Sequence, residues 1–174
     1  MDLILYFTFN FFLYGFLGWI LENCFSYVNN GHMQKDGFLH MPFKPMYAIA
    51  MSVLVLISKM PTIDVYLMLS FCLVIPTFVE FMTGIIMRKY FKKDYWDYSG
   101  LKYNYKGIIC IGFSLIWTAL SFISVEFIQV HIIDNFYLSI KEYWSYLWIL
   151  FVIALVLDDI KTIKSFKVNR KMVN

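Results

Sequence analysis

Residues 65–87 read VYLMLSFCLVIPTFVEFMTGIIM, and Arg88-Lys89 follow at once. Glu80 is the one charged side chain in that run. A helix crossing a ~30 Å hydrocarbon core takes about 20 predominantly apolar residues, so the segment has the dimensions of a membrane span. Four further runs meet the same criterion: Leu3 to about Val28, about Pro45 to Ser58, Ile108 to about Ile133, and about Tyr143 to Ile163. The run from Pro45 is short and needs Lys44 and Lys59 to snorkel at its ends. Asp158 and Asp159 blur the end of the last run. The fold class these runs predict is all-α, a polytopic transmembrane helix bundle of about five spans.

Composition agrees with a lipid solvent. Of 174 residues, 60% are hydrophobic, 21% aromatic and 16% charged, against ~45–50% apolar and ~25% charged in soluble domains. A soluble chain of this size cannot hide 18 Phe, 13 Tyr and 5 Trp from water. Disordered, collagen-like and disulfide-scaffold classes are excluded. Residues 1–165 read as a single integral membrane domain and 166–174 as a short basic cytoplasmic tail. The first run lacks a positive n-region and a small-residue cleavage site, so it is expected to stay in the mature protein.

Lysine and arginine set the orientation. With five spans, all of the 15 basic residues except Lys59 and Lys141 fall on one side. The positive-inside rule makes that side cytoplasmic, with the amino terminus outside and the carboxy terminus inside, in a bacterial cytoplasmic membrane. The basic residues flank helix ends and do not line a groove, so no nucleic-acid partner is implied.

An ionisable group inside a span costs ~2.5–3.5 kcal/mol on insertion scales, so each needs a reason. Glu22 lies near the inner end of the first run and Glu80 eight positions before Arg88, which puts both at the cytoplasmic leaflet. At ~100° per residue, Gly15, Gly18, Glu22 and Ser26 share one face of the first helix. Pro76, Thr77, Glu80, Thr83 and Gly84 share one face of the third. Small residues let helices approach closely, so both stripes are expected to face the bundle interior. Two readings stay open. Each glutamate either snorkels or pairs with a base such as Lys35 or Arg88, or the two form a carboxylate site for a cation, a proton or a polar head group.

The loops on this side add candidates. Residues 35–47 are apolar enough to dip into the interface. Trp96 and Tyr98 read as interfacial anchors, and Asp97 and Ser99 as caps for a turn or for the next helix.

These motifs together resemble a family of small bacterial membrane proteins described as ABC-transporter permeases, the type IV or CmpB-like group. The matching pieces run in order from Gly18-Trp19-Ile20-Leu21-Glu22 through Gly37-Phe38-Leu39, Pro42 and Pro45-Met46-Tyr47. They continue with Glu80-Phe81-Met82-Thr83-Gly84, Trp96-Asp97-Tyr98-Ser99, Asn104, Gly107 and Trp117. Asp36 stands where the family usually has arginine before Gly-Phe-Leu, with Lys35 one place earlier as a point charge without the guanidinium fork. The resemblance implies a transport subunit whose polar site draws on Glu22, Glu80, Asp97, Asn104 and Lys35. It also implies structural roles for Gly18, Trp19, Gly37, Pro42, Pro45, Tyr47, Gly84, Trp96, Tyr98, Ser99 and Gly107.

No glycine is followed by lysine, so there is no P-loop and any ATPase is a separate subunit. Five spans are few for a solute path, which suggests a homo-oligomer or a partner. Cys24, Cys72 and Cys110 lack C-x-x-C spacing and read as buried, inert thiols. His32, His40 and His131 lack metal-ligand spacing, and no cofactor or catalytic residue is indicated. Beside the transport reading stand a regulatory or assembly protein without small-molecule chemistry and an enzyme acting on a lipid-linked substrate.

The orientation is open to direct measurement. A cysteine placed near residue 2 is expected to react with membrane-impermeant thiol reagents in intact cells; reaction with permeant reagents alone overturns the assignment.

Overall fold

The computed structural model describes residues 3–33 and 37–172, with side chains up to residue 166. Helix α1 spans Leu3–Asn30, α2 Pro45–Ser58 and α3 Val65–Ile86, which runs on into a π-helical turn, Met87–Phe91. A ribbon of β1 (Asn104–Tyr105) and β2 (Ile109–Cys110) follows. Helix α4 (Ile111–Ile123) then passes through a π-helical segment, Ser124–Ile133, into α5 (Asp134–Met172).

Local chemistry places these boundaries. Pro45 opens α2, where its fixed φ suits the first turn and its missing N–H would have had no intrahelical partner. The Asp64 carboxylate caps α3 by accepting the Leu67 N–H at 2.8 Å. Lys92, in the left-handed region at φ 56°, ends the π turn that extends α3. Pro76 lies inside α3 and cannot donate to the Cys72 carbonyl. The Ser121 hydroxyl of α4 stands 3.4 Å from that carbonyl, but its single proton has a shorter bond to the Trp117 carbonyl of its own helix at 2.7 Å.

The chain is mostly helical, as its sequence predicts. Two helical bodies, Leu3–Asn30 and Val65–Phe91, are long and apolar enough to cross a bilayer, whereas the apolar α2 has only 14 residues. The all-α class holds, with one short extended ribbon in which β1 and β2 pair antiparallel, Asn104 opposite Cys110 and Tyr105 opposite Ile109. Helical backbone also continues through most of the segment expected as a tail.

The π segment turns the chain back on itself. Gln129 meets Tyr14 of α1, while Trp144 packs on Phe9 and Phe12 and donates to the Leu5 carbonyl at 3.1 Å. In a straight helix residues 129 and 144 stand about 22 Å apart and could not share those turns of α1. Sharp bends of this kind are characteristic of π-helical insertions.

Buried polar side chains hold the bend. The Gln129 amide faces three acceptors: the Tyr6 hydroxyl at 3.0 Å, Asn10 Oδ1 at 3.0 Å and Asp134 Oδ1 at 2.8 Å. Its carbonyl accepts the Tyr14 hydroxyl at 2.8 Å. Tyr6 also donates to Asp134 at 2.6 Å, and Lys59 from the end of α2 pairs with the other Asp134 oxygen at 2.5 Å. Burial pushes the Asp134 carboxyl up, but the bonds from Lys59, Tyr6 and Gln129 outweigh it and hold the group below the usual carboxylate range.

Elsewhere the burial pattern is inverted relative to a water-soluble bundle. On α3, Val74 and Phe78 are each 60% exposed, while Glu80 is 2% exposed. On α5, Leu150 and Leu157 are exposed to a similar degree. One expectation about the thiols is corrected: Cys72 and Cys110 are buried, but Cys24 is exposed, because it lies on the outward face of α1.

Gln129→Leu keeps the volume of the bend but orphans the buried Tyr14 hydroxyl and Asn10 amide oxygen. The expected destabilisation is about 1–3 kcal/mol, read as a lower melting temperature of the full chain in neutral detergent; an unchanged melting temperature removes the network from the account of the bend.

Candidate functional site

The glycine stripe of α1 is a seat for the loop before α2 and for α2 itself. A Cβ on Gly15 would stand 2.0 Å from the Phe43 ring, and one on Gly18 would stand 2.4 Å from the Tyr47 side chain. Glycine at both positions therefore lets α2 lie directly on the α1 backbone, and the Lys44 N–H donates to the Gly15 carbonyl at 2.9 Å. On α3 the same device recurs, since a Cβ on Gly84 would stand 2.3 Å from Ile108.

Close approach brings Glu22 to Lys44, with which it forms an ion pair. Of the alternative partners read from the sequence, only Arg88 can be placed. Lys35 lies outside the described residues. Arg88 turns away from Glu80 to Asp94 and the Lys106 carbonyl, each at 2.5 Å.

Glu80 is bound differently. Its Oε1 accepts the Tyr98 hydroxyl at 2.9 Å and the Trp117 indole N–H at 3.3 Å. Its Oε2 is buried and has no hydrogen-bond partner among the described residues. Thr77 Oγ1, one turn earlier on α3, is likewise buried and unbonded. Glu80 lines a half-open cavity of about 170 Å³ between α1, α2, α3 and α4, whose wall includes Gly18, Tyr47, Pro76, Trp117 and Ser121. Glu22 is not part of the wall.

Tyr98 reaches Glu80 because residues 94–110 are tied into a rigid cap. Asp97 accepts the Ser99 N–H and hydroxyl, each at 2.9 Å, closing an Asx-type turn. These bonds hold its exposed carboxyl below the usual range. Asn104 donates to the Leu101 carbonyl at 2.7 Å and accepts the Gly107 N–H at 3.0 Å. The Gly107 carbonyl accepts the Tyr98 N–H, and the Trp96 indole donates to the Ile108 carbonyl at 2.8 Å. Burial, then the nearby Glu80 charge, pushes the Tyr98 phenol up, so it stays a donor at neutral pH.

The predicted candidates thus separate. Glu80 lines the cavity and Glu22 pairs with Lys44 outside its wall, whereas Asp97, Ser99, Asn104 and Gly107 build the cap and also stand outside the wall. Trp96 and Tyr98, read as interfacial anchors, instead bond inward. Gly37 and Pro42 are exposed and Trp19 stacks on Phe16, so none of the three lines the cavity.

The family described as "Putative ABC-transporter type IV" matches residues 9–163. The chain belongs to this family. No curated protein and no solved structure matches it. Within this ABC-transporter type IV chain, the sequence motif is therefore largely an instruction for building the cap and the α1–α2 contact. Sequence reading missed Gln129 and Asp134 at the bend. It also missed the part played by Asp158, which accepts the His40 and Met41 N–H groups at 2.9 and 3.0 Å and fastens α5 to the first loop. A neutral amide in an apolar run was the available signal for Gln129.

Two glycines of the cap serve as each other's control. Gly107 has φ +66°, and a Cβ there would stand 2.6 Å from Asp97 Oδ1, whereas a Cβ on Gly100 meets nothing within 4 Å. Gly107→Ala is expected to destabilise the full chain by at least about 1–3 kcal/mol, the usual cost of an alanine held in the left-handed region, with Gly100→Ala within 0.5 of wild type on the scale of ordinary surface changes (about 0.5 kcal/mol). Equal melting temperatures for the two variants contradict the cap.

Proposed function

We propose that this chain is the membrane-embedded subunit of a transport system, with a polar site at the cytoplasmic leaflet formed by Glu22 and Glu80 and assembled by Tyr47, Tyr98 and Trp117. The observation that carries the reading is the inverted burial of α3, with Phe78 outward and the Glu80 carboxylate inward on a cavity. Such an arrangement is favourable in hydrocarbon and costly in water. Membership of an ABC-transporter family supports association with a separate ATP-binding subunit.

In this reading the chain crosses a bacterial cytoplasmic membrane five times, with its amino terminus outside. α4 with the π segment forms the fourth span and the apolar part of α5 the fifth. Lys59 and Asp134 then pair at the outer surface, while Glu22, Lys44, Arg88 and the cap lie at the inner one. Asp97 and Asn104 contribute by holding Tyr98 in place, and Lys35 adds positive charge to the inner rim. A homo-oligomer supplies the wider path that five spans alone do not.

A second reading, a regulatory or assembly subunit, draws support from one contact. The Glu22 charge is already matched by Lys44, as it would be in a purely structural role.

The two readings part on one experiment. In membrane vesicles holding the chain with its ATP-binding partner, the Glu22→Gln/Glu80→Gln double variant is expected to insert as wild type does and to lose ATP-dependent solute uptake at least tenfold. Wild-type uptake by the double variant rejects the carboxylate site in favour of the regulatory reading.

A further inference from the structure

Glu22 and Glu80 stand in opposite electrostatic surroundings. Glu22 is ion-paired with Lys44. Around Glu80 the neighbouring elements offer only neutral groups, committed bases or like charge. Tyr98 of the cap and Trp117 of α4 approach it as neutral donors, and Tyr47 of α2 and Tyr14 of α1 line the same cavity as phenols. The Cys110 thiol, which interacts with Tyr98, stands 3.4 Å from the Lys102 carbonyl. On α3 itself Arg88 bonds Asp94 and the Lys106 carbonyl. The Lys106 ammonium lies over the Tyr105 ring, 5.3 Å from its centroid. The charge that does act on Glu80, from Glu22 on α1, has the same sign as its own.

The hydrogen bonds carry a signature of their own. An ionised carboxylate has two equivalent oxygens and accepts at both. Here both donors meet on Oε1, while Oε2 is enclosed without a partner among the described residues and without room for a water against it. That is the pattern of an undissociated acid, in which the carbonyl oxygen accepts twice and the hydroxyl oxygen carries the proton. Ionised, Glu80 would be a buried charge with no counter-ion, which costs far more than one unmade neutral hydrogen bond. A metal ion does not fill that role, since no group of three or more His, Cys, Asp or Glu that could hold one occurs among the described residues.

We propose that Glu80 is a proton-binding site: at neutral pH, with the cap closed, it is a carboxylic acid whose proton sits on Oε2. The cap supplies one of the two donors that shut the group away, so opening the cap hydrates Glu80. The Oε2–H bond then breaks and the proton passes to the entering water. Cap closure and proton binding favour each other reciprocally. At higher pH, once Glu80 is ionised, its charge keeps the Tyr98 phenol protonated. Protonation stands on the packing around Glu80; that the proton is exchanged during transport rests on the transport reading above.

Infrared spectroscopy of the purified full chain in neutral detergent reads the acid directly, through the C=O stretch of protonated carboxyl groups above the amide bands. At neutral pH wild type is expected to show this band, and to shift it downward when glutamate is labelled with a heavy carboxyl carbon. Glu80→Gln is expected to lose the label-sensitive band. Tyr98→Phe, which removes one donor from Oε1, is expected to keep it at higher frequency. A wild type without a label-sensitive band overturns the proposal, as does a band that either folded variant leaves unchanged. Hydrogen exchange of the cap amides, corrected for its intrinsic pH dependence, reads the linkage. Wild-type exchange is expected to quicken with rising pH, by at most about tenfold per pH unit for one proton, and that of Glu80→Gln to stay constant. A wild-type cap indifferent to pH overturns the release step. In the vesicle assay, pH-independent uptake by a chain that shows the band rejects only the proton's part in transport, whereas uptake by a chain without the band rejects this proposal alone.

Discussion

A carboxylate shut away from solvent is the constraint to which one end of this protein answers. Glu80 sits on a helix whose other faces are apolar, and every contact that reaches it comes from elsewhere in the chain. Tyr98 arrives on the cap and Trp117 on α4, while Tyr47 closes the cavity from α2. Each of these approaches depends on a missing side chain or a tied turn, at Gly18, Gly84 or Gly107. Packing and polar satisfaction are therefore a single problem here. A glycine permits the approach, and the approach delivers a donor.

The opposite end of the bundle solves a related problem by neutral means. Gln129 is an amide, able to donate and accept at once, and it joins Tyr6, Asn10, Tyr14 and Asp134 into a satisfied network. Tyr14 belongs to that network and also lines the cavity, so the two polar regions share one residue on α1. Between them α2 lies against the glycine face of α1, and Ser121 of α4 packs beside the gap that Pro76 opens in α3.

Much of the helical content was legible because apolar run length and charge-bounded ends are strong, local signals. The start of α2 at Pro45 and of α3 after Asp64 follows from proline and capping chemistry that any reader of the sequence can apply. The stripes containing Gly18 and Glu80 were legible from helical periodicity. The partners were not. Nothing local to Glu22 says that Lys44 is its counter-ion, since that depends on how the loop folds back over Gly15. The β1–β2 ribbon escaped because two-residue strands leave no alternation to detect. Tyr98 and Trp96 look like interface aromatics until the turn at Asp97 and Ser99 shows which way they point.

The π segment has a consequence for which changes of length the chain tolerates. Over Ser124–Ile133 the backbone winds more slowly than an α-helix, so the faces of α4 and α5 are out of phase. Deleting one residue there while the rest of the segment keeps its π winding would rotate all of α5 by roughly 90° about its axis. Asp158 would then leave the His40 and Met41 amides, and Trp144 would leave α1, although no contacting residue had been changed. Substitutions in this stretch away from Gln129 are local events, but insertions and deletions that the winding does not absorb are rotations of the whole final helix.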